Sequence, residues 1–460
     1  MKKKLLLILL LFPLISIGQN LEGIVVSAND EPIDDVNIFA PSSKIGTITN
    51  KNGKFSIKSF SNLGPDEILE FSHIGYTTTR FSLRYLAKHQ FKVYLEESIQ
   101  NLSGVTIANG LKLKTSLSFN QLSPLKNPIF SFGSLLKEGK IYVTGGDAYA
   151  EIDYLEKNRA ERAAYSIMDY LADPYKVPAK RHYKKYFSIY DIKTNSWKDS
   201  DLKLKARGYH NLHYYNGLLY ILGGKRISVN SISSWEYLED QIEVIDLDKQ
   251  SIKLDNTNPH QAVDFASFTY KDNIIVMGGS LKRSEKDIKV FTNKVHLYNI
   301  TSGNWYELAE MPTAKETTGV LIGDKIYLIG GNDGKPIGQI ETFDLTTEKW
   351  QIETELFSEF ERPAITYHDT IIYFFENQKM CTYNIKNKEL KQYDIDIESK
   401  YAAMYYYDNK LYLLGGRIDN SYSKIPSSKV FSIDLEEFKK TKPLKIKTLP
   451  KQSDIAKTIE

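Results

Sequence analysis

Nine polar residues of this 460-residue chain stand at two recurring kinds of position. Asp147, Arg226, Asn332, Asp333 and Arg417 come one or two places after a short apolar run that ends in Gly-Gly, and Glu376 ends a degenerate copy of that run. Arg207, Lys315 and Arg362 stand where the next apolar run is entered. Loop charges of mixed sign with tyrosines nearby suit recognition of a polar ligand, such as a glycan or a peptide. Any one of them alone would pass for a solvated surface charge. Bond-making chemistry finds less support. His210 and His213 lie three apart on an expected strand, so they face opposite ways and cannot share a metal. No Gly-x-Ser-x-Gly elbow occurs, and Gly334-Lys335 runs into Pro336 rather than completing a phosphate loop. The single cysteine, Cys381, permits no internal disulfide and no multi-cysteine centre, and its strand context predicts a buried thiol. Neither a metal nor a cofactor is expected.

The elements that must position these residues repeat. Ile141-Tyr142-Val143-Thr144-Gly145-Gly146 is followed by runs ending at Gly223-Gly224, Gly278-Gly279, Gly330-Gly331, Phe375-Glu376 and Gly415-Gly416. After each comes a second strand with an Asp or Asn at its end: Asp191, Asp246, Asn299, Asp344, Asn384 and Asp434. These recur every 40–55 residues, and Trp197, Trp305 and Trp350 stand six places beyond three of them. That period matches a four-stranded propeller blade. A blade cannot bury its own faces, so the six are expected to close into a ring.

Blade six lacks the outer residue, since Lys440 stands six places beyond Asp434. The alternating segment 111–123 is expected to supply the missing strand, with Phe119 or Leu122 in the absent tryptophan's place. Closure by Leu444–Leu449 is the rival. The loops after Gly-Gly are the long ones (147–186, 225–242, 280–294 and 417–428). The first contains Ala150 to Leu171, whose composition predicts a helix ended by Asp173-Pro174.

Ahead of the repeat, residues 20–97 alternate in short runs with turn signals such as Asn52-Gly53, the pattern of a small antiparallel sandwich. Residues 1–18 carry Lys2, Lys3 and Lys4, an apolar run from Leu5 to Ile17, and a small-x-small close at Ser16-Ile17-Gly18. This reads as a signal peptide, with Gln19 starting a mature chain that has no transmembrane segment. The formal charge of +3 then vanishes, because its removal leaves 57 basic and 57 acidic residues. Global steering toward nucleic acid is not expected.

Two resemblances follow from these residues. Gly46-Thr47-x-Thr49-Asn50-x-Asn52-Gly53-x-Phe55 with Leu69-x-Phe71-Ser72-His73-Ile74-Gly75-Tyr76 resembles the carboxypeptidase regulatory-like (transthyretin-like) domain. In particular it is similar to the version found in exported, outer-membrane-associated proteins of Gram-negative bacteria. No His here has a Glu three residues on, so the zinc carboxypeptidase site is absent, and His73 reads as structural. The Gly-Gly modules over 126–449 resemble the Kelch family, and Arg207-x-x-His210 matches its inner-strand pattern. Together they imply an all-β chain with one helical insertion. Its parts are a signal peptide (1–18), a sandwich (19–97), a linker with a ring-closing strand (98–125), a six-bladed Kelch-type propeller (126–450) and a polar tail (451–460). The function implied is exported, non-catalytic binding of a glycan or protein on the loop face, in the periplasm, at the outer membrane with its components as partners, or outside the cell. A sugar-processing enzyme of mutarotase type, with its site on the axis, is the alternative that the Kelch resemblance leaves open.

Overall fold

A computed structural model describes residues 21–57, 63–73, 76–96, 113–162, 165–172, 182–229, 234–283 and 289–448. The signal-peptide reading of 1–18 and the tail 451–460 lie outside the described residues. The chain divides into two compact units, one N-terminal to Lys112 and one spanning Lys112–Leu449.

The first unit packs two sheets face to face. One has the order Lys54–Ile57, Leu21–Ser27, Lys92–Leu95; the other runs Ile45–Ile48, Asn37–Ala40, Ile68–Ser72, Thr79–Ser82. Alternation decides which side chains go inward: Ile38, Leu69 and Phe71 from one sheet meet Val25, Phe55, Val93 and Leu95 from the other. The sandwich is not wholly antiparallel, because Leu21–Ser27 runs parallel to Lys92–Leu95. The crossover that a parallel pair needs includes a helix, Leu83–Lys88, with Ser82 accepting the Tyr85 N–H at its start. His73 packs edge-on against Tyr76.

The second unit contains six sheets built on one plan, four antiparallel strands in which the third pairs back onto the second; the fifth adds two more, Lys445–Thr448 and Ser116–Leu117, the latter parallel to its neighbour. Sheet two shows the pattern: Asn211–Tyr215, Leu218–Leu222, Ile242–Asp246, Ser251–Asp255. The second strand is apolar on both faces because neighbouring sheets cover both. Trp197, Trp305 and Trp350 pack on Tyr190, Tyr298 and Phe343 of the preceding strand. Their indole N–H groups donate to Ser123, Thr257 and Ala309, tying each sheet to its neighbour. The Gly-Gly pair is required by close approach: at Gly224 (φ 83°) a Cβ would lie 2.4 Å from the Gly208 carbonyl.

Sheet six takes its fourth strand from Asn120–Gln121, which pairs with Val430–Asp434. Phe119 packs edge-on to Phe431, and Leu122 donates its N–H to the Val430 carbonyl. Within the stretch 98–125, expected to be a linker and a ring-closing strand, the described residues 113–125 belong to the propeller unit. The C-terminal strand Lys445–Thr448 extends sheet five instead, beyond Glu389–Ile395.

The expected single helix over Ala150–Leu171 is two shorter ones, Tyr154–Glu161 and Ile167–Ala172. Ser166 and Asp169 cap each other reciprocally and start the second helix afresh. Just before them, Glu151–Ile152 is a strand paired with Ser423–Pro426 of the sixth exit loop. Another short helix, Glu436–Lys440, follows the third strand of sheet six.

Candidate ligand site on the propeller axis

The residue entering each inner strand is bridged to the residue leaving the Gly-Gly turn: Phe130 to Asp147, Gly208 to Lys225, Val263 to Ser280, Glu316 to Asn332, and Lys400 to Arg417. In sheets one and four the bridged Phe130 and Glu316 themselves line the axial space, while in sheets two, three and six the residue after the bridge does so. Tyr209, Asp264 and Tyr401 occupy that position with left-handed backbone (φ 63°, 55° and 55°). Such a conformation costs about 1 kcal/mol per non-glycine residue and is found where a side chain must be aimed. All three line one cavity of about 760 Å³, together with Phe130, Glu316 and Glu361. One residue from the entry of each of six sheets therefore faces a common space, which only the ring axis allows. Exit-loop hairpins from sheets two, three and six wall it: Lys225–Val229 with Ser234–Leu238, Ser280–Arg283 with Lys289–Phe291, and Arg417–Asp419 with Ser423–Pro426.

The electrostatics are pre-arranged. Nine charged residues line the cavity, and each has an opposite charge beside it. Lys225 pairs with Glu236 (2.8 Å), Lys289 with Glu316, and Asp264 with Arg362. Glu361 lies 3.9 Å from Lys400, Arg417 grips Asp419 through two nitrogens, and Lys424 meets Glu151 at 3.1 Å. Counting those partners, six cations face six carboxylates. Burial pulls the Arg417 guanidinium down, but Asp419 and Tyr401 more than offset it and hold it above its ordinary value. Burial, with Glu361 beside it, pushes the Tyr401 phenol well up, so it stays a hydroxyl donor. Arg417 also lies over the rings of Phe130 (5.1 Å) and Tyr401 (4.7 Å).

The structure sorts the nine sequence candidates. Arg417 lines the cavity. Arg362 reaches across the ring from sheet five to Asp264 of sheet three. Asp147, fully buried, accepts the Tyr209 hydroxyl (2.9 Å) and so positions a lining residue. Arg207 and Lys315 are buried inside their own sheets, paired with Glu243 and Glu341 and donating to the carbonyls of Gly223 and Gly330. They brace the Gly-Gly turn. Glu376 is structural too: sheet five replaces the exit loop with a tight Asn377-Gln378 turn (φ 44° and 66°), and the carboxylate turns in to accept the N–H groups of Glu361 and Arg362. Asn332 bonds to Glu361 at the rim, Asp333 lines a separate outer hollow, and Arg226 lines another.

Sequence reasoning missed Phe130, Tyr209, Asp264 and Tyr401. The available signal was position, since Tyr209 stands two places beyond the repeated basic residue Arg207. His210 and His213 do part company: His210 Nε2 meets Thr144 and the Gly133 N–H, while His213 lies between Ser267 and Thr269. Burial raises the Cys381 thiol well above its ordinary value. Among the described residues, no group of three or more His, Cys, Asp or Glu is placed to hold a metal ion, and no helix is long and apolar enough to cross a membrane.

Comparison with known proteins agrees with this architecture. Residues 315–356 match the Kelch motif. The second unit is a Kelch-repeat β-propeller. Residues 21–107 match the CarboxypepD_reg-like domain, so the Kelch propeller follows a domain of that kind. Kelch-like protein terF of Aspergillus terreus is 28% identical over 170 residues, 32% of this chain and 37% of that protein. Kelch-like protein 40 of Xenopus tropicalis is 26% identical over 174 residues (37% and 26%). Human Kelch-like protein 38 is 23% identical over 239 residues (50% and 39%). The chain thus spans about a quarter to two fifths of the length of these curated relatives. A solved structure of YjhT aligns at 13% identity with a TM-score of 0.49, over 66% of this chain and 95% of that one.

Proposed function

We propose that this protein is an exported binding module whose Kelch propeller receives a neutral, hydroxyl-rich ligand, a glycan, in the axial cavity. The observation that carries this reading is the pairing of all nine lining charges. A paired carboxylate keeps lone pairs for hydroxyl donors, whereas an ionic ligand would have to break a bridge already made. The half-buried rings of Tyr209 and Tyr401 supply aromatic surface for the C–H sides of a sugar ring. A sugar-processing reaction would need a group free to take up or release a proton, and the paired lining favours binding over it. The Kelch-like relatives support a second reading in which the same face holds a protein partner, an outer-membrane component among the candidates. Export rests on Lys2–Lys4 and the apolar run behind them.

A glycan array followed by calorimetry tests the main reading. Neutral oligosaccharides should bind with little salt dependence, and Tyr401→Ala should weaken them about tenfold or more. Anomerisation of a bound sugar, or array silence with capture of an outer-membrane protein, would replace it. N-terminal sequencing of the periplasmic fraction should begin at Gln19; retention in the cytoplasm would refute export.

A further inference from the structure

A second hollow, of about 480 Å³, opens beside the axial cavity and is lined by Lys205, Ala206, Arg226, Ile227, Ser228 and Tyr237. Tyr237 lines both spaces, so one ring separates them. In the hairpin that carries it, Arg226 is paired with Tyr237 and Ser228 with Trp235. Directly opposed residues share a sheet face, as do residues two apart on one strand, so all four stand on the same side. Trp235 and Tyr237 are each 49% exposed, two large rings in file from the cavity wall outward. Trp235 stands across from only a serine.

The charge balance differs from that on the axis. Glu239, fully buried, lies 2.5 Å from Arg226, 3.6 Å from Arg207 and 3.9 Å from Lys205. Glu243 pairs with Arg207 at 2.7 Å. Three cations therefore meet two carboxylates: Arg226 holds Glu239 and Arg207 holds Glu243, so the surplus positive charge falls on Lys205, which lines the hollow beside Arg226. A guanidinium and an ammonium beside exposed aromatic faces make a receptor for a carboxylate carried on a sugar ring.

We infer that this hollow is an outer subsite for an acidic sugar unit, a uronate, belonging to the same chain whose neutral unit enters the axial cavity. The ligand is then an acidic oligosaccharide rather than a lone monosaccharide. Its carboxylate meets Lys205 beside the Glu239-paired Arg226, and its ring stacks on Tyr237 or Trp235. The inference rests on the glycan reading of the axial cavity and specifies the ligand class for it.

The test is titration of the full protein with a tetragalactose in which one terminal unit is galacturonic acid, and with its carboxyl-reduced counterpart, tetragalactose, followed by heat and by tryptophan fluorescence. The acid should bind about tenfold more tightly at low salt, with the advantage shrinking as salt is raised. Arg226→Gln and, separately, Lys205→Gln should remove the preference while leaving tetragalactose binding unchanged, and Trp235→Ala should weaken both ligands. Equal affinity for the two, unaltered in either variant, overturns the subsite and leaves the axial reading standing. Acid binding that survives Tyr401→Ala but not Arg226→Gln overturns the axial reading and the two-subsite chain with it. Binding of neither probe overturns both.

Discussion

Arg207, His260, Lys315 and Ser399 each bond to the carbonyl of the first glycine in their own Gly-Gly pair. Three of them are fixed from behind, Arg207 by Glu243, Lys315 by Glu341 and His260 by His296. The Gly278 carbonyl selects the Nε2–H tautomer of His260, so Nδ1 accepts from His296 (2.8 Å). Burial lowers His260 to about 4, and likewise lowers His213 to about 4. The unfolded chain, with histidines near 6.5, binds more protons than the folded one between pH 6.5 and 4. The stability these neutral rings contribute is therefore complete above pH 6.5 and lost as pH falls through that window. Urea titrations should show a loss of about 2 kcal/mol per histidine between pH 6.5 and 5, and His213→Asn should remove its share. The buried ions respond differently. Lys315→Met strands Glu341 and should cost about 3–5 kcal/mol, much of it recovered in Lys315→Met/Glu341→Leu, as the two denaturation midpoints would show.

The ring-closing strand was legible because two signals agreed: alternation over 111–123 and the missing outer residue after Asp434. What alternation does not reveal is the extent of pairing, which is brief at Asn120–Gln121, with the hold passing to Phe119 and Leu122. Leu122→Pro deletes the N–H that reaches Val430 and should cost about 1–3 kcal/mol. Ile446→Pro, in the exposed edge strand of sheet five, should cost less; thermal melts that reverse this order would place closure at the C-terminal strand. That strand was harder to read because Lys445–Thr448 buries little and charges interrupt its pattern. The helix in the first exit loop was overextended for a related reason. Composition favours helix throughout Ala150–Leu171, but Glu151–Ile152 is drawn into a ladder with the sixth exit loop, a partner some 270 residues away in sequence.

For the whole molecule, the bridge from Arg362 to Asp264 joins sheet five to sheet three and pairs a carboxylate that lines the cavity. Arg362→Met leaves the Asp264 carboxylate unpaired there. Neutral-glycan affinity should fall about tenfold, and the melting temperature gained on adding ligand should shrink accordingly. An unchanged ligand-induced shift would separate this bridge from binding.

Periodicity alone determined the repeat, the sheet architecture, the Gly-Gly turns and the face that carries the long loops, because each depends on residues close together in the chain. Arg207, Lys315 and Glu376 looked like binding residues for the same reason: sequence places them at loop entrances, and only packing shows that a glutamate or a glycine turn has claimed their charge. The site itself is a product of closure. Phe130, Tyr209, Asp264, Glu316, Glu361 and Tyr401 are spread over some 270 residues and meet only because six sheets bury their faces against one another in a ring. Removal of residues 1–18, expected from the sequence, would leave a chain of zero formal charge, whose specificity would have to be local. The tertiary structure brings the charges together: on the axis each lining charge has a partner, and in the hollow beside it one positive charge is left over.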